Sequence, residues 1–279
     1  MTKVKVTDIV KKSLVKIVVI DNKTGKVYSH GSGVIVNESG FILTANHVVS
    51  SQVKDKSKSI LAIPYIGGGA FSCIYKFGGI SLGIQGQKFI SPLNIDLAIL
   101  APLKPHKVPP ISLSQDIPKE GTEVIMAGFS EDLRLPLDLP ENIDKSAVGG
   151  QENINKIKEF SYSIIPWIMV KHGIIGGVFH IISKNFKTKF FEKQISFSLK
   201  AAEYWIDNTY ARGASGGPVV DMDGNLLGII TERGETYESD LTQNILFPIP
   251  SGTVRVLSHK LITWSLEELT KRWKPPYEK

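Results

Sequence analysis

The chain has 279 residues, of which 42% are hydrophobic and 22% are charged. This composition is typical of a globular protein and excludes a disordered or fibrous one. The net charge of +6 is modest for the length, and aromatic residues do not alternate with lysines as they do on base-stacking surfaces. We therefore expect no nucleic-acid partner and interpret the short lysine clusters as solvated loop faces.

The cysteine content and the hydropathy pattern predict a cytoplasmic protein without a membrane partner. The single cysteine, Cys73, cannot form an internal disulfide, which fits a reducing compartment. It lies among apolar residues, so we expect it in the core. The apolar run at residues 14–20 contains Lys16 and is not followed by a cleavage site, unlike a signal peptide. No run approaches the ~18 apolar residues of a membrane span.

The first predicted element is a short helix over residues 7–12, with Thr7 as its N-cap. Runs rich in Val, Ile and Leu, separated by Gly, Asn, Ser or Pro, then predict short β-strands. These strands lie at residues 15–20, 33–37, 40–44, 60–64, 97–101 and 123–127. Residues 130 to 165 carry prolines, glycines and many charges, which indicates a long surface excursion.

Strand patterns resume after this excursion, at residues 167–170, 173–180, 195–199, 218–220, 226–231 and 244–248. Residues 221–225 form a strong hairpin signal between two of them. Ser251 is expected to cap a helix that runs to about His259, and residues 265–273 predict a second helical segment. Many short strands and few helices predict an all-β protein, built as a sandwich or a pair of barrels.

Residues 213–218 read Gly-Ala-Ser-Gly-Gly-Pro and contain the most informative serine of the chain. Glycine permits positive φ and a close backbone approach. Such a turn exposes the hydroxyl of Ser215 and can gather backbone N–H groups around a developing oxyanion. A Gly-rich turn between strands, without a catalytic role, fits the same residues.

A serine nucleophile needs a base and an orienting carboxylate, and the sequence offers one candidate for each. His47 follows an apolar strand and small residues, a context that none of the other five histidines shares. Asp96 is embedded in an apolar run, where an unpaired carboxylate is costly to bury. The chain order His47, Asp96, Ser215 is one of the known orders for a catalytic triad.

Four segments together resemble the HtrA (Deg) type of chymotrypsin-fold serine proteases: residues 31–49, 96–100, 213–229 and 247–254. The resemblance implies two antiparallel six-stranded β-barrels with short N-terminal and C-terminal helices. It also implies peptide hydrolysis through an acyl-enzyme, with Ser215 as nucleophile, His47 as base and Asp96 as orienting carboxylate. The N–H groups of Gly213 and Ser215 would form the oxyanion hole, and neither a metal nor an organic cofactor is expected.

By this resemblance, residues 1–279 form a single trypsin-like peptidase unit. An N-terminal barrel is expected over residues 13–129, and a C-terminal barrel over 166–250, with the excursion at 130–165 inserted between them. A helical tail is expected over 251–279, too short for the PDZ domain that such proteases usually carry. Arg212 stands where many relatives have a proline.

The resemblance places Asn208, Thr209, Ile230 and Thr231 in the primary substrate pocket. No carboxylate falls at the expected pocket base, which favours a small or medium apolar residue at the cleavage site. Glu232 would change this preference if its side chain turned inward. The expected partner is a protein or peptide substrate, and a homo-oligomer or a regulatory protein partner is left open. Two alternatives remain: a latent protease that a partner activates, and a catalytically silent binding module of the same fold.

Overall fold

The computed structural model describes residues 1–67, 69–85, 90–130, 168–190, 193–210, 212–240 and 245–272. The helices are α1 (Lys3–Ser13), α2 (Asn46–Lys54) and α3 (His259–Arg272). The first six strands are β1 (Leu14–Asp21), β2 (Val27–Ile35), β3 (Ile42–Thr44), β4 (Lys58–Pro64), β5 (Phe71–Gln85) and β6 (Ile90–Pro102). The other six are β7 (Glu123–Phe129), β8 (Ile168–Phe190), β9 (Lys193–Asp207), β10 (Pro218–Val220), β11 (Leu226–Asp240) and β12 (Ile245–Ser258).

The strands form two closed barrels of six strands each. The N-terminal barrel has the order β1-β2-β3-β6-β5-β4, and the C-terminal barrel has the order β10-β11-β12-β9-β8-β7. Every pair of neighbouring strands is antiparallel. The predicted fold, two antiparallel six-stranded barrels with short terminal helices, is confirmed.

β1 shows how alternating side chains build the N-terminal barrel. Val15, Ile17 and Val19 belong to an apolar cluster with residues from the other five strands and from α2. Val18 and Ile20 instead pack in a small outer cluster with β4. This period of two is the geometry of a strand, and burying a side chain of this size contributes roughly 1.5–3 kcal/mol.

A third apolar cluster joins the two barrels. It combines Leu43 and Leu97 of the N-terminal barrel with Ala127 and Ile229 of the C-terminal barrel, together with side chains from α1 and α3. Because this cluster is continuous, the two barrels pack as one body, and loops from both meet at their junction.

Two helix predictions are wrong in their bounds. The N-terminal helix begins at Lys3, and its N-cap is Thr2, whose side chain accepts a hydrogen bond from the backbone of Lys5. No helix starts at Ser251, because residues 251–258 continue β12 and pair with β9 and β11. The C-terminal helix begins at His259, where the pairing with β11 and β9 has ended.

The predicted barrel boundary is also wrong. The N-terminal barrel was expected to extend to residue 129, but β7 (Glu123–Phe129) pairs with β8 and β10 of the C-terminal barrel. Residues 131–165 of the excursion expected at 130–165, and residues 273–279 of the tail expected at 251–279, lie outside the described residues. Cys73 is 5% exposed and belongs to the N-terminal barrel core, as predicted. Of the helices that the structure describes, none has the length and apolarity to cross a membrane.

Candidate active site

His47 lies in the first turn of α2, directly after the short strand β3. Thr44, the last residue of β3, pairs with Ala98 of β6. Because the two strands are antiparallel, the chain two residues beyond Thr44 lies opposite the residue two before Ala98, which is Asp96. The strand register therefore brings the start of α2 against Asp96. The sequence analysis did not predict helix α2.

The Asp96 carboxylate holds His47 through two contacts. The backbone N–H of His47 donates to Oδ1 over 2.8 Å, and ring atom Nδ1 lies 2.6 Å from Oδ2. An ionised carboxylate only accepts hydrogen bonds, so Nδ1 carries the hydrogen and Nε2 keeps its lone pair. Asp96 thus selects the tautomer in which Nε2 can act as a base.

Both side chains of this pair remain accessible. The His47 side chain is 53% exposed and that of Asp96 is 29% exposed. The hydrogen bond with Asp96 raises the pKa of His47 above its ordinary value of 6.5, although partial burial opposes the rise. The negative charges of Asp96 and Glu232 raise this pKa further.

A polar contact behind α2 fixes its first turn. The hydroxyl of Tyr75 donates to the side-chain oxygen of Asn46, the residue before His47, over 3.2 Å. Burial raises the pKa of Tyr75 to about 12, so the phenol remains a donor at neutral pH. β5 is irregular over residues 75–80, and Gly79 in this stretch faces the Asn46 side chain. Strand irregularities of this kind often redirect residues beside active sites.

Residues 213–218, the serine loop below, form a tight turn closed by backbone hydrogen bonds. The N–H of Gly217 donates to the Ala214 carbonyl over 2.8 Å, and that of Gly216 donates to the Ile230 carbonyl over 2.7 Å. The N–H of Ile230 donates back to the Gly217 carbonyl over 2.9 Å. Ala214 is 1% exposed and packs inside the C-terminal barrel. The loop is therefore attached to β11 on this side.

The other side of the serine loop lies against the N-terminal barrel. The carbonyl of Ser215 accepts a hydrogen bond from the N–H of Ser32 over 2.8 Å. Gly216 has a φ of +85°, and a Cβ there would collide with the Ser32 carbonyl and the Thr44 hydroxyl. Conformation and space both require glycine at this position. The serine loop thus lies against β2 at Ser32 and against Thr44 of β3, the strand that leads to His47.

Gly31 of β2 lies between the segments that carry His47 and Ser215. A Cβ at Gly31 would lie 2.7 Å from the side chain of Val48 and 3.0 Å from the carbonyl oxygen of Ser215. Because glycine has no side chain, α2 and the serine loop can both come close to the position that a Cβ would occupy. The segments that carry the candidate base and the candidate nucleophile thus meet at the barrel junction.

The predicted oxyanion hole consists of the amides of Gly213 and Ser215. Gly213 has a φ of +88°, which favours glycine. Within the part of the chain that the structure describes, neither amide donates to a protein acceptor, whereas those of Gly216 and Gly217 both do. Two neighbouring unpaired amides can receive the oxygen of a substrate carbonyl.

Residues 208–210, which precede the serine loop, are connected to β8 by three hydrogen bonds from side chains to backbone carbonyls. They run from Asn208 to His172 over 2.8 Å, from Lys171 to Thr209 over 2.6 Å, and from Tyr210 to Met169. The Lys171 ammonium also lies 5.6 Å from the ring centroid of Tyr210, within cation–π range. The role of Asn208 and Thr209 in a substrate pocket stays a prediction.

Ile230 and Thr231, the other predicted pocket residues, lie on β11 beside the serine loop. Ile230 is 3% exposed and packs inside the barrel, and Thr231 donates its hydroxyl to the Arg255 carbonyl over 3.2 Å. Their place in a substrate pocket also stays a prediction. The adjacent Glu232 is 62% exposed, and its carboxylate lies 3.0 Å from the Arg255 guanidinium, which also binds Glu203.

Ser32 is a residue to which the sequence analysis assigned no role. It is 0% exposed, and it contacts the backbone of both Gly213 and Ser215. The available signal was a serine between two glycines, directly before the apolar residues Val34 and Ile35, since a buried hydroxyl needs hydrogen-bond partners. Arg212, which precedes the loop, is exposed.

Among the described residues, no group of three or more His, Cys, Asp or Glu side chains is placed so that it could hold a metal ion. Burial raises the pKa of Cys73 and disfavours its thiolate. Since the thiolate is the reactive form of cysteine, Cys73 is not suited to act as a nucleophile.

The chain is similar to known peptidases in sequence and in fold. The model of the trypsin-like peptidase domain family matches residues 31–229. The active form of the Rv3671c protease from M. tuberculosis is 17% identical, with a TM-score of 0.51 over 95% of this chain and 83% of that chain. An inactive serine-to-alanine mutant of Rv3671c from M. tuberculosis H37Rv is 15% identical, with a TM-score of 0.51 over 96% of this chain and 92% of that chain.

At these identities the solved structures show a shared fold. No curated protein matches the sequence at a significant level. The family match extends over most of the chain and includes His47, Asp96 and Ser215. The chain therefore belongs to the trypsin-like peptidase domain family.

Proposed function

We propose that this protein is a serine endopeptidase that hydrolyses peptide bonds through an acyl-enzyme intermediate. The observation that carries the proposal is the His47–Asp96 pair, in which Nδ1 lies 2.6 Å from the carboxylate. The serine loop with Ser215 packs against the strand that leads to this pair. Membership of the peptidase family supports a protease, and the proposal adds the nucleophile, the base and the covalent intermediate.

In the proposed reaction, Ser215 Oγ attacks the carbonyl carbon of the scissile bond while His47 Nε2 accepts the hydroxyl proton. The amides of Gly213 and Ser215 donate hydrogen bonds to the resulting oxyanion. His47 then gives its proton to the leaving amine, the C–N bond breaks, and the acyl group stays on Ser215. Water attacks this ester as His47 accepts its proton. His47 then returns that proton to Ser215 Oγ as the bond between Oγ and the acyl carbon breaks, and the acid product leaves.

Each of these groups contributes to the rate acceleration in a different way. A serine hydroxyl is a weak nucleophile at neutral pH, and a positioned base contributes about 10²–10⁴-fold. An oxyanion-hole donor contributes about 10²–10³-fold. Asp96 holds His47 in the required tautomer and stabilises the imidazolium that forms during each step.

The proposed substrate is a protein or peptide with a small or medium apolar residue at the cleavage site. The pairing of Glu232 with Arg255 supports this preference, because this carboxylate is already occupied by a cation. A peptide library incubated with the protein, followed by sequencing of the new N-termini, measures the preference. Enrichment of Lys or Arg before the cleaved bond would contradict it.

The direct test of the proposed function is covalent labelling with a fluorophosphonate, which reacts with activated serines. We expect one label per chain, which peptide mapping places on Ser215. Ser215→Ala should abolish the label, whereas Ser114→Ala should keep it. Ser114 is a suitable control because its hydroxyl bonds only to the nearby Asp116 carbonyl in the described structure, over 3.2 Å. A folded wild-type protein that takes no label, or takes it elsewhere, contradicts the proposal.

A further inference from the structure

Ser32 lies on β2 where the N-terminal barrel meets the serine loop, and it is 0% exposed. A buried hydroxyl without a hydrogen-bond partner destabilises the folded state. The partners of Ser32 therefore indicate what the residue does at this position.

Four hydrogen bonds join Ser32 to three other segments of the chain. Its N–H donates to the Ser215 carbonyl over 2.8 Å, and its hydroxyl donates to the Gly213 carbonyl over 2.7 Å. Its carbonyl accepts from the Thr44 hydroxyl over 2.7 Å, and its Oγ accepts from the N–H of Phe129 over 2.9 Å. One residue thus connects both barrels with the serine loop.

The bond from Phe129 gives the Ser32 hydroxyl a defined direction. A hydroxyl has one hydrogen to donate and two lone pairs that accept. The backbone N–H of Phe129 can only donate, so the hydrogen of Ser32 points to the carbonyl of Gly213. Successive hydrogen bonds of this kind polarise one another inside a protein.

The bond to Gly213 fixes a peptide plane beside the predicted oxyanion hole. Because the peptide unit is planar, holding the Gly213 carbonyl also holds the N–H of Ala214. Glycine rotates more freely than other residues, and Gly213 here has a φ of +88°. Ser32 binds the carbonyls of Gly213 and Ser215, so the backbone on both sides of Ala214 is restrained.

We propose that Ser32 is a positioning residue that keeps the Gly213 and Ser215 amides aimed at the substrate carbonyl. Its hydroxyl acts through the backbone of the serine loop and does not touch the substrate. The catalytic consequence rests on the serine-peptidase function proposed above. The effect on loop conformation rests on the hydrogen bonds alone.

Ser32→Ala tests this role, with Ser258→Ala as the matched control. Ser258 is also 0% exposed, and its hydroxyl also has two partners, the Tyr204 hydroxyl at 2.9 Å and the N–H of Lys260 at 3.2 Å. Both variants lose a buried serine hydroxyl, but only one loses a contact with the serine loop. Both are compared with the wild type on one peptide substrate, at a temperature where all are folded.

We expect Ser32→Ala to lower kcat about 10–100-fold and to change KM less than about 3-fold, since an oxyanion contact forms mainly in the transition state. A peptide boronic acid, which forms a tetrahedral adduct with serine, should lose affinity in parallel with kcat. Ser258→Ala should keep kcat and boronate affinity within about 3-fold of the wild type. A purely structural role would lower the stability of both variants without this selective loss.

Hydrogen exchange supplies a readout that does not require activity. Mass spectrometry of the peptide that contains residues 212–217 should show faster exchange in Ser32→Ala and unchanged exchange in Ser258→Ala. If the wild type takes no fluorophosphonate label, the proposed function fails, and this exchange difference still decides the positioning role.

Ser32→Cys keeps a side chain of similar shape with a weak S–H donor. We expect its kcat and its exchange rate to lie between those of the wild type and of Ser32→Ala. If Ser32→Ala does not fold, kcat and the exchange rate of Ser32→Cys test the positioning role instead. Equal kcat and equal exchange in the Ser32 variant and in Ser258→Ala would overturn the proposal.

Discussion

The two halves of the candidate site are built in different ways. The His47–Asp96 half lies within the N-terminal barrel, where the pairing of β3 with β6 sets its geometry. The serine half is a loop that is bonded to β11 on one side and to β2 on the other. One half depends on the register of a sheet, and the other depends on how two barrels pack.

This difference predicts which half is more sensitive to distant changes. A strand pair is supported by bonds along its length, so the loss of one contact leaves its register intact. The serine loop relies on a few contacts with each barrel, and Gly213 and Gly216 both have positive φ there. Substitutions that alter the barrel junction should therefore disturb Ser215 before they disturb His47.

The largest effect should come from removing the proposed nucleophile. Ser215→Ala should lower kcat about 10⁴–10⁶-fold, because binding and the oxyanion hole alone retain little of the rate. Thermal unfolding should stay close to that of the wild type, since only the hydroxyl is lost. Steady-state kinetics checks the rate, and residual activity above about one part in a hundred would contradict the role of Ser215.

The other half is tested by Asp96→Asn, which should lower kcat about 10⁴-fold. An amide can donate to Nδ1 and thereby favour the wrong tautomer of His47. Asp21→Asn is the control, because the hydrogen bonds that the described structure shows for the Asp21 carboxylate stay within its own turn, with residues 23 and 24. Normal kinetics of the Asp21 variant and a large loss in the Asp96 variant are expected. Equal rates in the two would show that the carboxylate does not orient the base.

Gly216→Ala tests the contact between the serine loop and the N-terminal barrel, and Gly121→Ala is its control. Both glycines have a φ of +85°, but a Cβ at Gly121 would meet nothing within 4 Å. The control should cost about 1–2 kcal/mol of stability for the left-handed backbone alone. Gly216→Ala should cost about 3 kcal/mol or more, because strain and overpacking add.

Chemical denaturation measures both stabilities, and kinetics should show lost activity only in Gly216→Ala. If both alanine variants lost the same free energy of unfolding, the serine loop would not be in close contact with the N-terminal barrel at Gly216.

The smallest effect concerns the pH dependence of activity. His47 must be neutral to act as a base, and its raised pKa moves the acid limb of kcat/KM above pH 6.5. Glu232→Gln removes a negative charge that raises this pKa, so the limb should move to lower pH. Glu203→Gln is the control, because Glu203 binds the same Arg255. A limb that moves equally in both variants would contradict the electrostatic role of Glu232.

Sequence reasoning identifies candidate residues where the local pattern suits the proposed chemistry. Ser215 among glycines, and Asp96 in an apolar strand, are visible without any structure. The barrels followed from the resemblance, since alternating apolar runs alone left a sandwich open. Helix α2 was not predicted because its N-cap residue, Ala45, makes no side-chain cap and its first turns contain the β-branched residues Val48 and Val49.

The contacts that assemble the site were harder to predict because they join distant parts of the chain. The partners of the Ser32 hydroxyl lie 97 and 181 residues away. The helix expected from Ser251 was wrong for the same reason, since pairing with β9 and β11 overrides a local capping signal. Local patterns identify candidate groups, and long-range pairing decides how they are held.

The central claim is that a base in one barrel activates a serine in the other. The most direct measurement is the rate of fluorophosphonate labelling of Ser215 against pH, in the wild type and in His47→Gln. We predict a wild-type rate that rises with pH through a value above 6.5, and a loss of labelling in the variant by several orders of magnitude at every pH. Labelling of Ser215 that is equally fast without His47, or that shows no rise with pH, would contradict the account.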